Sequence, residues 1–235
     1  MNSNNSKDNT NAIIMGSSKG IGKAFLRSAI NLGYNCEELN SLKLNTLREE
    51  SINKFIANNK DKKYDLFVFN TGGLSPIDID KKINYFEEDF KSAFQSYFWS
   101  FYNLISNLDF TKKAKIIYIS SHVVQNIEPR LMASSVARSS SEKLLENLSG
   151  LKDFFYRTCI SIRFGPVMTD RLINLMKSSG ITEEELSLKL GVDKVPKPDD
   201  VYNLANLLLS SSSLFGSGTY SFDSGIKLLK SIKSL

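Results

Sequence analysis

Three glycines near the start of the chain, Gly16, Gly20 and Gly22, have the spacing of a loop that can hold a phosphate group. An apolar run at residues 12–15 predicts a short buried strand before them, and a helical pattern begins after them at Lys23. Glycine lets the backbone turn tightly and lets a ligand approach without a Cβ in the way. The helix behind such a turn presents unpaired N–H groups and the positive end of its dipole, and both attract an anion.

The spacing of this turn, Gly-x-x-x-Gly-x-Gly, differs from the usual dinucleotide fingerprint and lacks the Gly-Lys-Ser/Thr ending of a nucleoside-triphosphate loop. An ordinary strand–helix connection that binds nothing is one interpretation. The turn lies where a first strand–helix unit requires it, however, and this context favours a dinucleotide site.

Strands and helices alternate along the whole chain. Strands are predicted at residues 12–15, 34–40, 64–69, 114–119, 158–164 and 218–223. A turn and helix at 45–59 and helices at 23–32, 86–108, 133–148 and 199–209 separate them, and the polar segment 167–197 contains helical pieces and is interpreted as a lid. This order predicts an α/β fold, a doubly wound parallel sheet (Rossmann fold) in a three-layer α/β/α arrangement. We expect one domain at residues 11–235 after a disordered polar tail at residues 1–10.

Composition excludes several classes of protein. With 235 residues and 41% hydrophobic content, the chain can bury the core of one globular domain. It has no apolar run long enough to span a bilayer, and we expect neither a signal peptide nor a membrane partner. Cys36 and Cys159 fall in predicted strands, so we expect free, reduced thiols and a cytoplasmic protein.

The charged residues indicate neither a nucleic-acid partner nor a metal site. The net charge is +5, but the lysines are scattered and do not alternate with aromatic residues as in nucleic-acid binders. No cluster of cysteine, histidine or carboxylate residues has metal-ligand spacing. The single histidine, His122, follows a predicted strand end, where alternation directs its side chain away from Ser121, and packing or a plain hydrogen bond is expected for it.

Five segments, in order, resemble landmarks of the short-chain dehydrogenase/reductase family. They are residues 15–22 (Thr-Gly-x-x-x-Gly-Ile-Gly in the family, with Met15 here), 70–73 (the Asn-Asn-Ala-Gly turn), 116–121 (the strand that ends in the catalytic serine), 163–169 (Pro-Gly-x-x-x-Thr) and 218–225 (the closing strand). The resemblance covers about residues 12–228 and implies a nicotinamide cofactor. The cofactor-binding residues it implies are Gly16, Ser18, Lys19, Gly20, Ile21, Gly22, Asn40, Asn70, Thr71, Gly72, Arg138, Gly165, Pro166 and Thr169.

The family's catalytic residues are Ser, Tyr and Lys, with the last two as Tyr-x-x-x-Lys. Carried over from Ser121, that motif falls on Ser134 and Arg138, so Ser121, Ser134 and Arg138 are the implied catalytic residues. Tyr97 falls near the family's helix asparagine. The chain is similar to a divergent branch of the family that carries Asn-Thr-Gly-Gly and Ser-Asn-x-x-Arg.

These substitutions leave three hypotheses open. Serine is far less acidic than tyrosine, and guanidinium stays protonated, so neither replacement reproduces the usual proton relay. The first hypothesis is an NAD(P)-dependent oxidoreductase acting on a carbonyl or secondary alcohol. Ser121 would then hold the substrate oxygen, Arg138 would supply positive charge, and water, Ser134 or a displaced tyrosine (Tyr97 or Tyr156) would supply the proton. The second is an epimerase, dehydratase or isomerase with a recycled cofactor, and the third is an inactive NAD(P)-binding sensor or partner subunit.

Structural roles are the alternatives for two of these residues. Ser134 has a residue type that is common as a helix N-cap, and Ser121 has a position that suits a cap at a strand end.

The end of the second strand bears on the choice of cofactor. It carries Asn40 and Ser41 where an acid would hold the ribose hydroxyls of NAD, and Lys19 lies where it can meet a 2′-phosphate. NADP(H) is therefore expected, with NAD(H) possible if a register shift brings Glu38 to the strand end. The family pairs its two long helices between subunits, which here are 86–108 and 133–148 and imply a homodimer or homotetramer.

Overall fold

The computed structural model describes residues 10–72, 74, 76, 86–126, 128–211 and 215–225. Within these ranges, six parallel strands form a single sheet in the order β2-β1-β3-β4-β5-β6. The strands are β1 (Asn11–Met15), β2 (Asn35–Leu39), β3 (Lys63–Phe69), β4 (Asp109–Ser121), β5 (Thr158–Phe164) and β6 (Gly218–Phe222). The strand order reverses between β1 and β3, and open α/β sheets bind ligands at that point, beyond the carboxyl ends of the strands.

Helices cover both faces of the sheet. They are α1 (Gly20–Asn31), α2 (Glu49–Asn59), α3 (Glu87–Ala93), α4 (Ser100–Asn107), α5 (Met132–Ser149), α6 (Asp170–Ser179), α7 (Glu183–Leu190) and α8 (Pro198–Ser210). A π-helix at Phe94–Trp99 joins α3 to α4 without a break. The predicted helix at 86–108 is therefore confirmed, with a wider turn in its middle.

Two apolar cores hold the three layers together. On one face, Phe25 of α1 and Val201 of α8 pack against Ile14 and Ile117 of the sheet. On the other face, side chains of α2, α4 and α5 pack against the opposite side of the same strands. There the rings of Phe69 and Tyr118 stack with their centroids 5.4 Å apart. The predicted three-layer Rossmann arrangement is confirmed.

The crossover from β2 to β3 contains a single helix, α2. In the usual Rossmann order a further strand lies outside β2. Within the described residues β2 is instead an edge strand of the sheet. The further strand is absent from the described residues because the segment between β2 and β3 is short and holds only α2.

Two predicted elements had a boundary that was wrong by two residues or more. The strand expected at residues 114–119 runs from Asp109 to Ser121, because a bulge opposite Tyr64 and Leu66 lets polar residues at its start join the sheet. The first helix, expected from Lys23, begins at Gly20, so two of the turn glycines belong to it. Apart from Thr10, the predicted tail at residues 1–10 lies outside the described residues.

The segment 167–197, which the sequence suggested as a lid, contains two helices, α6 and α7. Cys36 and Cys159 carry free thiols, and burial raises the pKa of each thiol to about 11, so both remain protonated at neutral pH. In the described part of the chain no cluster of histidine, cysteine, aspartate and glutamate is suited to a metal ion. None of the described helices combines the length and apolar character that crossing a membrane requires.

Candidate active site

The glycine turn after β1 lies directly against the end of β3. Gly16 has a φ of +60°, and Asn70 Nδ2 donates a hydrogen bond of 3.3 Å to its carbonyl oxygen. A Cβ on Gly16 would lie 2.5 Å from the Asn70 carbonyl oxygen. Glycine is thus required at position 16 for both its backbone conformation and this close approach.

The end of β2 is attached to the same turn. The Ser17 N–H and the Ser17 hydroxyl both donate hydrogen bonds to the Leu39 carbonyl oxygen, with lengths of 3.2 and 3.4 Å. The carboxyl ends of β1, β2 and β3 are therefore fixed relative to one another by short polar contacts around one turn.

A cavity of about 310 Å³ opens at these three strand ends. It is lined by Gly16, Ser18, Lys19, Gly20, Ile21, Asn40, Ser41, Asn70, Thr71, Gly72, Thr169, Asp170 and Arg171. Ten of these were expected from the sequence as cofactor-binding residues. Ser41, Asp170 and Arg171 were missed, although Ser41 and Asp170 each directly follow an expected residue and Arg171 is the next residue along α6.

The cavity offers unpaired donors to a ligand. Helix α1 enters it with no side-chain cap and no acidic residue in its first turn, so its first N–H groups and the positive end of its dipole face the opening. The buried hydroxyl of Thr71 has no hydrogen-bond partner among the described residues. Lys19 adds a positive charge at the rim, and Asp170 adds a carboxylate beside Arg171.

Four expected cofactor residues do not line this cavity. Gly22 packs α1 against the turn, since a Cβ there would lie 2.2 Å from the Gly16 carbonyl oxygen. Gly165 and Pro166 follow β5, where the Gly165 N–H donates to the Phe222 carbonyl oxygen at 2.9 Å. The fourth is Arg138.

Arg138 projects from α5 into the interior. Its Nη1 donates a 2.8 Å hydrogen bond to the Ile119 carbonyl oxygen of β4. The guanidinium carbon lies 4.1 Å from the centroid of the Tyr97 ring. Arg138 is 9% exposed, so its positive charge is held between α5, β4 and the π-helix.

Ser121 and Ser134 lie on neighbouring elements. Ser121 ends β4, is half-buried, and its hydroxyl accepts the Val123 N–H at 3.4 Å, so the expected capping role is present. Ser134 is the third residue of α5, whose N-cap is Leu131, so the N-cap interpretation of Ser134 was wrong. The next residue, Ser135, donates to the Val123 carbonyl oxygen at 2.9 Å and holds α5 against the turn after Ser121.

The candidate tyrosines differ in position. Tyr156 is 71% exposed and lies before the start of β5, whereas Ser121 lies at the opposite, carboxyl-terminal end of the neighbouring strand β4. Tyr97 is 1% exposed, and its hydroxyl faces the turn after β3. A third tyrosine, Tyr118 of β4, is completely buried near Arg138, and burial raises its pKa to about 12. His122 makes the plain hydrogen bond expected of it, with Nδ1 lying 3.3 Å from the Phe164 carbonyl oxygen.

Solved structures resemble this chain over almost its whole length. A short-chain dehydrogenase family protein from Francisella tularensis superposes with a TM-score of 0.75 at 21% identity, covering 93% of this chain and 99% of the other. A 7α-hydroxysteroid dehydrogenase in complex with NADH and 7-oxo glycochenodeoxycholic acid gives 0.73 at 20% identity, covering 93% and 94%. A small-chain dehydrogenase in complex with NADPH gives 0.72 at 16% identity, covering 94% and 100%.

The sequence itself matches no family model and no curated protein. At these identities the structural likeness establishes the fold, which is the Rossmann fold of short-chain dehydrogenases.

Substitution of Gly16 tests the geometry of the turn. Gly16→Ala should lower the free energy of unfolding by about 2 kcal/mol or more, because the new methyl group meets the Asn70 carbonyl at a strained φ. Gly72→Ala is the matched control: a Cβ there has no atom of the described residues within 4 Å, and a change within about 0.5 kcal/mol is expected. Urea denaturation measures both. Equal stability of the two variants would contradict the close contact.

Proposed function

We propose that the chain is an NAD(P)-dependent oxidoreductase of the short-chain dehydrogenase/reductase type that acts on a carbonyl or secondary alcohol. The observation that carries this proposal is the cavity at the strand-order reversal, where the uncapped N-terminus of α1 meets the Gly16–Asn70 contact. The complexes of similar structures with NADH and NADPH support the choice of a nicotinamide cofactor.

The residues present fit such a cofactor. Gly20 has a φ of +58°, and at this position a Cβ would point toward Thr169 across the opening, 3.1 Å from its methyl group. The N–H groups of Gly20 and Ile21 would hold phosphate oxygens, and the Thr71 hydroxyl, which has no partner among the described residues, would turn to bond to the ligand. When bound, the nicotinamide group supplies or accepts the hydride.

The chain's own groups orient the substrate beside this cavity. The half-buried Ser121 hydroxyl would donate a hydrogen bond to the substrate oxygen from the end of β4. Arg138, held below it through Ile119, would favour negative charge that develops on that oxygen. Ser134, on the first turn of α5, would pass a proton between the substrate oxygen and water.

We propose NADP(H) as the preferred cofactor. The side chain of Asn40 accepts hydrogen bonds from the N–H groups of Leu42 and Lys43, at 3.0 and 3.2 Å, so it shapes the turn after β2. Glu38 pairs with Ile14 one position before the strand end and does not line the cavity, which disfavours the NAD alternative. Lys19 at the rim suits a 2′-phosphate. Comparable affinities for NADPH and NADH would contradict this preference.

An inactive cofactor-binding protein is the second candidate function. It is favoured by one observation: the Arg138 guanidinium binds backbone and an aromatic ring and does not line the cavity. In that case the chain would bind the cofactor and convert nothing.

We also propose that the chain forms a homodimer or homotetramer through the helix that spans α3 to α4. Trp99 and Tyr102 are exposed on it, and their rings meet edge to face, 6.1 Å apart between centroids. A groove of about 760 Å³ lined by Phe86, Phe90 and Phe94 adjoins Trp99. Exposed aromatic side chains beside an apolar groove are typical of interaction sites. A monomer by light scattering would refute this proposal.

Replacement of Ser121 tests the oxidoreductase. A panel of aldehydes, ketones and secondary alcohols is first tested with NADPH and NADP to find a substrate. With that substrate, Ser121→Ala should lower kcat/KM by about 100-fold, because a hydrogen bond to the reacting oxygen is lost. The change in nicotinamide absorbance measures the rate.

The neighbouring Ser120→Ala is the matched control. Ser120 lies on the opposite side of β4, and its buried hydroxyl has no partner among the described residues, so its loss should leave kcat/KM within about twofold. Equal rates in the two variants would contradict the role of Ser121. Conversion without net absorbance change would indicate an isomerase or epimerase, and binding without conversion would indicate the inactive alternative.

A further inference from the structure

We infer that Tyr97 is a positioning residue that fixes the cofactor-side turn after β3 relative to Arg138 and to the strand that ends in Ser121. The inference rests on the proposed function, because the turn it fixes forms part of the proposed cofactor cavity. Tyr97 bonds to the turn after β3 and packs against Arg138, and the described residues of the glycine turn make neither contact.

The Tyr97 hydroxyl makes two hydrogen bonds to the turn. It donates to the Gly72 carbonyl oxygen at 3.3 Å and accepts the Leu74 N–H at 3.0 Å. A single buried hydroxyl therefore satisfies backbone groups on both sides of the turn. The adjoining residues Thr71 and Gly72 line the cavity, so this hydroxyl supports the cavity wall from behind.

Arg138 packs against the ring of the same tyrosine. The guanidinium lies over the ring at 4.1 Å, and Nη1 of the arginine reaches the Ile119 carbonyl oxygen two residues before Ser121. A buried cation over an aromatic face is stabilised by the ring quadrupole, and burial makes that attraction stronger. One side chain thus joins the turn after β3 to α5 and, through Arg138, to β4.

The main chain of Tyr97 is fixed independently. Its carbonyl oxygen accepts a 3.0 Å hydrogen bond from the Ser141 hydroxyl of α5. The residue lies in the π-helix, a wider turn that leaves carbonyl groups open to such outside donors and recurs at functional sites. The ring and hydroxyl are therefore anchored at their base, as a positioning role requires.

Tyr97→Phe tests the inference, because it keeps the ring under Arg138 and removes both hydrogen bonds to the turn. We expect the Leu74 amide in the ligand-free protein to exchange with solvent about tenfold faster, measured by NMR. We expect the Kd for NADPH to rise about tenfold, measured by calorimetry, because the cavity wall loses its support.

Tyr118→Phe is the matched control. This tyrosine is also buried near Arg138, and its hydroxyl lies beside Ser141, but within the described residues it makes no hydrogen bond to the turn after β3. The control should change neither the Leu74 exchange rate nor the Kd for NADPH, and thermal melting of both variants measures any general loss of stability.

Two results would overturn the inference while wild-type protein binds NADPH. One is an unchanged Leu74 exchange rate in Tyr97→Phe. The other is faster exchange with an unchanged Kd, which would assign Tyr97 a structural role alone. Failure of the wild-type protein to bind either NADPH or NADH would refute the proposed function, and the cofactor-positioning role with it.

Discussion

The contact between Gly16 and Asn70 is the constraint on which the site depends. It joins the turn after β1 to the end of β3 across the point where the strand order reverses. The distances leave no room for a side chain on Gly16, and the positive φ there directs the chain into α1. The uncapped N-terminus of α1, the end of β2 held by Ser17 and residue Thr71 all lie at the same opening because of this contact.

The buried positive charge near this opening belongs to Arg138, and its contacts differ from those that an exposed lysine would make. An arginine cannot give up a proton at neutral pH, but its planar group can bond and stack at the same time. Arg138 does both, with the Ile119 carbonyl and the Tyr97 ring. The charge is therefore fixed beside β4, and under the proposed function proton transfer would fall to hydroxyl groups and water.

Most of the fold and most residues of the cavity could be predicted from the sequence. Continuous apolar runs predict the inner strands because β1, β3 and β5 are largely buried on both faces, and the run at Thr158–Phe164 was placed without error. Glycines in the turn after a strand predict a cofactor loop, and Gly16 and Gly20 have positive φ values that residues other than glycine rarely adopt. Both signals are local, so a single sequence contains them.

The orientation of side chains could not be predicted in the same way. Nothing local to Arg138 shows that its guanidinium turns toward Ile119, since that depends on the spacing of α5 and β4. The hydrogen bonds of Tyr97 also join segments far apart in sequence. The N-cap interpretation of Ser134 failed because a 3₁₀ turn at Pro129–Leu131 starts the helix earlier.

The most direct test of the central claim is calorimetric titration of the wild-type protein and of Gly20→Asp with NADPH and NADH. Gly180→Asp is the matched control, because Gly180 has nearly the same φ, +63° against +58°, and lies at the far end of α6 with space around it. We predict that wild type and Gly180→Asp bind NADPH alike. Gly20→Asp should lose about 100-fold or more in affinity, since a carboxylate then faces the phosphates at the start of α1. Equal binding by the two aspartate variants, or no binding by the wild type, would contradict the account.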